Sequence, residues 1–182
     1  MKHVTLTACV FLFTAAAAGA QSLFISELMV GQDGIYCDSF GDDPDWLEIY
    51  NPTDAPVDAA GWALSDTPKK KPGKWLFPPN TVIQPRARLV VFFEPKNVAN
   101  RKRTDGTDLH TSFRLNATVG ETIVLFTPKL VEAHRVEFGA QTRNVSIGTS
   151  DPFEPMVAQK APTPGLPNDA APPASRCRGG RG

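Results

Sequence analysis

DPDWLEIYNP, residues Asp43 to Pro52, packs three acids and two aromatic rings into ten positions. An active site, a metal loop and the start of a plain strand could all produce such a stretch, so its own spacing and its neighbours decide. Trp46, Glu48 and Tyr50 alternate with Leu47 and Ile49, the period of two that sends successive side chains to opposite faces of a sheet. Trp, Tyr and Ile suit a pleated, half-buried surface. Asp43 and Asp45 suit a turn feeding the strand. Pro52 stops the ladder because it has no amide hydrogen to donate. Only Glu48 is left without a structural reason.

Outward from this strand, the chain between Leu23 and Gly148 repeats the same theme: short apolar or alternating runs separated by Gly, Pro, Asn and Asp. Candidate strands are LFISELMV (23–30), WLEIYN (46–51), GWALSD (61–66), KWLF (74–77), RLVVFFE (88–94), ETIVLFT (121–127) and AHRVEF (133–138), with a short last one in 144–148. Leu89 to Phe93 and Ile123 to Phe126 are unbroken apolar runs, as expected of strands covered on both faces. In AHRVEF, His134, Val136 and Phe138 alternate with Arg135 and Glu137, as expected where one face is wet. No sustained helical period occurs. The pattern predicts an all-β sandwich of about seven to nine short strands.

The first 20 residues read as a signal peptide: Lys2 and His3, an apolar run from Val4 to Ala18, and the small-x-small site Ala18-Gly19-Ala20. The run is short and Ala-rich for a membrane span, which needs about 20 strongly apolar residues. An uncleaved anchor and a lipoprotein box at Leu6–Cys9 are the weaker readings. Cleavage near Ala20 predicts a secreted or periplasmic protein with no membrane span in the mature chain. Removing 20 residues from 182 leaves 162, with 18 Lys plus Arg (the 19 less Lys2) against 19 Asp plus Glu. That length suits one domain, assigned to 21–160. The near-neutral charge predicts no general attraction to nucleic acid, so an electrostatic partner needs a local patch. In 161–182, nine of 22 residues are Pro or Gly, which predicts a flexible tail with too little apolar surface to offset its ordering entropy. Export permits a Cys37–Cys177 bridge, with a free thiol or an intermolecular bond as competing readings.

ISELM, PDWLEIYNP, GWALSD, KWLFPPNTVIQP, LVVFF, LHTSFRL, GETIVLF and APTPGLPN, in this order, resemble the lamin-tail domain family as found in secreted bacterial proteins. The resemblance spans roughly 23–168 and implies an immunoglobulin-like β-sandwich. In nuclear lamins the related domain is an interaction module, and bacterial relatives are often appended to secreted nucleases, phosphatases or other surface enzymes. No such enzyme domain is recognisable in these residues, so the resemblance implies a binding role.

Three sets of residues are candidates for a site. Asp38, Asp42, Asp43 and Asp45 gather before the second strand, where a calcium ion would need about six to eight oxygen ligands. They lack the alternate-ligand spacing of a calcium loop, and turn closure by Asp side chains is the competing reading. Lys69, Lys70, Lys71 and Lys74 form one basic loop, and Lys96, Arg101, Lys102 and Arg103 a second. If brought together they would bind phosphate or an acidic glycan with strong salt dependence; two solvated loops are the alternative. Glu27 and Glu48 are a conceivable acid pair whose separation the sequence does not give.

Catalytic signatures are missing. Only His110 and His134 remain after the leader, and neither HExxH, GxSxG nor a Walker loop occurs. His110 reads as a hydrogen-bonded structural residue. Asn116 and Asn144 begin glycosylation acceptor triplets, relevant only in a host that glycosylates exported proteins. The expectation is a secreted, non-catalytic binding module with no required cofactor, directed at a protein, glycan or surface. The alternative is an accessory to a separately encoded secreted hydrolase acting on nucleic acid or another polyanion.

Overall fold

The computed structural model describes residues 23–94, 108–174 and 177. Its elements are all strands: β1 (Phe24–Met29), β2 (Asp45–Tyr50), β3 (Val57–Asp58), β4 (Ala63–Ser65), β5 (Trp75–Leu76), β6 (Val82–Ile83), β7 (Arg88–Phe93), β8 (Leu109–Thr111), β9 (Glu121–Phe126), β10 (Glu132–Phe138), β11 (Ile147–Gly148) and β12 (Val157–Ala158). Twelve exceed the seven to nine expected because β3, β6, β8 and β12 are ladders of two or three residues, too short to display a period.

One sheet runs β12-β11-β1-β2-β7-β8 and the other β10-β9-β4-β5, with β3 and β6 pairing separately. Every pairing is antiparallel except that of β7 with β8. The two unbroken apolar runs, β7 and β9, occupy interior positions, and the alternating β10 lies at an edge. Leu47, Ile49, Val91 and Phe93 from the first sheet join Trp62, Leu64, Ile123, Leu125 and Val136 from the second in one core. Interdigitation of two inner faces in this way defines an immunoglobulin-like β-sandwich.

A bulge in β1 sets the chemistry of the outer face. Ile25 pairs with Ile49, but Glu27, not Ser26, pairs with Glu48. The extra residue shifts the phase, so Leu23 and Ile25 face the core before it and Leu28 and Val30 after it. Glu27 and Glu48 therefore become direct cross-strand neighbours turned away from the core.

That outer face is nevertheless dry. Residues 31–44 fold over it, and Tyr36 packs against Trp46 and Phe92 at ring-centroid distances of 6.0 and 5.9 Å, forming with Met29 a second apolar cluster. Residues 161–168 cross the rest. For 161–168 the structure corrects the flexible tail expected over 161–182: Thr163 is 1% exposed, and polar bonds to Glu27 and Glu48 hold a segment too poor in apolar side chains to anchor itself by burial. Cys37 and Cys177 are joined in a disulfide, with Cα atoms 4.8 Å apart across 140 residues of sequence. Among the described residues no helix is long and apolar enough to cross a membrane. The leader (1–20), Lys96 and the Arg101–Lys102–Arg103 cluster lie outside the described residues.

Candidate functional site

The β4–β5 hairpin builds a basic pocket from local hydrogen bonds. The Lys70 and Lys71 amides both donate to the Thr67 carbonyl, at 3.0 and 2.9 Å, a tight turn that Pro68 favours by fixing its own φ. The Ser65 hydroxyl donates to the Lys71 carbonyl at 2.6 Å, closing the loop onto its own strand. The pocket, of about 540 Å³, is lined by Thr67, Lys70, Lys71 and Lys74 on this side and by Ser112, Phe113 and Arg114 on the other. The second wall follows β8, whose parallel pairing with β7 carries 112–114 alongside the lysine loop.

Its charges are not equivalent. Lys74 bonds both Asp66 oxygens, at 2.5 and 2.6 Å, and lies 4.4 Å from the Phe113 ring centroid, so its charge is largely answered within the protein. Among the described residues, Lys70, Lys71 and Arg114 make no ion pair. Lys69 lines an adjoining cleft of about 400 Å³, which Lys70 also borders and where Asp66, Glu121 and Glu137 stand with Arg135. Phe113 is fixed edge-on against Phe93 at 5.2 Å and gives the pocket a rigid apolar floor. Three exposed cations, two hydroxyl-bearing residues and an aromatic floor make a seat for an anionic group carried on a partly apolar partner. The sequence supplied the lysines but not Ser112, Phe113 or Arg114, which only the β7–β8 pairing brings there.

The acidic loop is organised differently. The Gly34 amide donates to Asp43 at 2.9 Å and the Gly31 amide to Asp45 at 2.7 Å. Burial pushes the Asp45 carboxyl up, against the Gly31 hydrogen bond and the Arg114 charge, which lower it. Asp38 accepts the Phe40 and Asp42 amides at 2.9 and 3.0 Å. Asp38 thus closes a turn, whereas Asp43 and Asp45 tie the start of the 31–44 loop back to its end. Among the described residues, only Asp38 of the four candidates groups with other metal-ligating side chains, and these are Glu94 and His110.

Glu27 and Glu48 do form a pair, and a buried one. Glu27 accepts from the Ser146 hydroxyl at 2.6 Å, the Thr163 amide at 3.0 Å and the Thr163 hydroxyl at 2.9 Å. Glu48 accepts from the Ser26 hydroxyl at 2.6 Å and the Gly165 amide at 2.7 Å, and Arg88 Nε lies 3.1 Å away. Burial raises both acids; for Glu48 it outweighs these donors and pushes the carboxyl up to about 7. Every oxygen is engaged by the protein, which makes the pair an anchor for 161–168 and explains the acid that the opening strand left unexplained. His134 is equally absorbed: its Nδ1 accepts the Ile25 amide at 3.3 Å and its Nε2 bonds the Pro152 carbonyl at 3.1 Å, while burial lowers its pKa.

The fold and these sites define a small all-β protein of immunoglobulin-like architecture, with polar groups that anchor its own loops and a basic pocket open to solvent. The family model described as Lamin Tail Domain matches residues 16–140, more than two thirds of the chain. The chain belongs to the lamin tail domain family. Neither a curated protein nor a solved structure matches it.

Proposed function

We propose that this protein is a secreted, non-catalytic interaction module that uses the basic pocket to grip an anionic group on a protein, glycan or surface partner. The single supporting observation is the convergence of Lys70, Lys71 and Arg114, none in an ion pair among the described residues, around the Phe113 floor. The leader sequence supports export, and family membership fits an interaction role. The same pocket supports a second reading, in which the module delivers a separately encoded secreted hydrolase to nucleic acid or another polyanion.

Binding of the purified chain to a sulfated polysaccharide, measured over a salt series, tests the proposal. Three charge contacts predict a log–log slope of about −2 to −3. Lys70→Glu with Lys71→Glu, both exposed, should weaken binding by about tenfold or more at low salt. Salt-indifferent binding, or full affinity in the double variant, refutes it. Nuclease or phosphatase activity that co-purifies from extracellular fractions only with the wild-type pocket would favour the second reading.

A further inference from the structure

We propose that Asp38, Glu94 and His110 form a site for one divalent transition-metal ion of the zinc type, which clips the 31–44 loop to the six-stranded sheet. Three separate parts of the chain meet there. His110 lies opposite Phe92 in the parallel β7–β8 register, and Glu94, two residues past Phe92, emerges on the same side of the sheet. Asp38 arrives from the covering loop, next to the disulfide-bonded Cys37.

The geometry is that of a ligand set. His110 Nε2 lies 3.1 Å from Asp38 Oδ2 and 3.1 Å from Glu94 Oε1, and the three ligating atoms all fall within 4.8 Å of one another. Zinc bonds of about 2.0–2.2 Å place tetrahedral neighbours roughly 3.3–3.5 Å apart, so small movements would seat an ion. A single imidazole proton points well at one acceptor, whereas two carboxylate oxygens equidistant from one nitrogen suit a shared cation. The second Asp38 oxygen accepts the Phe40 and Asp42 amides, which aims the first at the centre, as outer partners of metal ligands do. Phe92 stacks on the imidazole at 5.3 Å and Phe40 tilts against it at 6.1 Å. The His110, Asp38 and Glu94 side chains are only 7%, 0% and 3% exposed. One nitrogen and two oxygens favour zinc or a neighbouring transition ion over calcium, which takes oxygen ligands.

The test uses the full chain with its disulfide intact, stripped by chelator and titrated calorimetrically with zinc(II) alone. One ion per chain and a raised melting temperature are expected, with affinity reduced by about tenfold or more in His110→Gln. Should that variant misfold, Asp38→Asn and the absorption spectrum of the cobalt(II)-loaded wild type replace it, with tetrahedral d–d bands expected. Absence of saturable binding up to about 100 μM zinc, unchanged affinity in whichever variant folds, or a cobalt spectrum identical to the free ion overturns the proposal.

Discussion

Glu48 shows what a buried acid does to a small sandwich. Its pKa of about 7 when folded exceeds the ordinary 4.5, so between those values the folded chain holds a proton that the unfolded chain has released. Its contribution to stability is therefore fully present below about pH 4.5 and is lost as pH rises through 7, by roughly 3 kcal/mol in total. Glu27, also raised by burial, acts in the same direction. Arg88 beside Glu48 works against the rise without cancelling it. Because His134, lowered by burial, pulls the other way below its ordinary 6.5, the difference between proteins is the readout: from about pH 5 to about pH 8.5 the melting temperature of the wild type should fall relative to that of Glu48→Gln. Parallel curves for the two proteins would contradict the assignment. Asn51, at the other end of the opening stretch, is the counterpart whose role does not depend on pH. Its amide nitrogen donates to the Ala55, Ile83 and Gln84 carbonyls at 2.9, 3.0 and 3.0 Å, tying the end of β2 to the loop after β6 and satisfying buried carbonyls that would otherwise be costly.

The 161–168 segment behaves as a structural element although it has no regular backbone ladder. Thr163 and Gly165 satisfy the acid pair, and Asn168 Nδ2 donates to the Ser26 and Thr149 carbonyls at 3.0 and 3.1 Å. Gly148 is required beneath it, since a Cβ there would sit 2.6 Å from Asn168 Nδ2 and 2.9 Å from the Ser26 carbonyl. Truncation after Lys160 removes this segment together with Cys177, so Cys177→Ser is the proper reference. The truncated chain should be less stable than Cys177→Ser by about 2–4 kcal/mol in urea denaturation, because the acid pair loses its hydrogen bonds from Thr163 and Gly165. Equal stability would show that the segment only lies on the surface. Composition could not reveal this role. Five prolines and four glycines in 161–182 look like disorder when burial of apolar side chains is the criterion, yet this segment is held by backbone amides and hydroxyls meeting two acids some 115 or more residues away in sequence.

Across the molecule, the sandwich was legible in the sequence wherever a strand was long enough to show its period. Leu47 and Ile49 enter the core while Trp46 and Glu48 face away, and Trp62 and Leu64 share the inner side of the second sheet, as the alternation predicts. β8 was not legible, because three residues pairing in parallel carry no periodic signal, and with it went the second wall of the basic pocket. The acid cluster before β2 was visible, but its division into loop-tying carboxylates and one that meets His110 depends on contacts across 72 residues. The Cys37–Cys177 bridge closes a span of 140 residues, which corresponds to a chain-entropy stabilisation of about 5 kcal/mol. The central claim is that the lysine loop and the 112–114 wall together receive an anionic partner. Amide hydrogen exchange, with and without a sulfated polysaccharide, tests it most directly. Slowed exchange confined to residues 67–74 and 112–114 is predicted, and binding that slows exchange elsewhere while leaving both walls unchanged would contradict it.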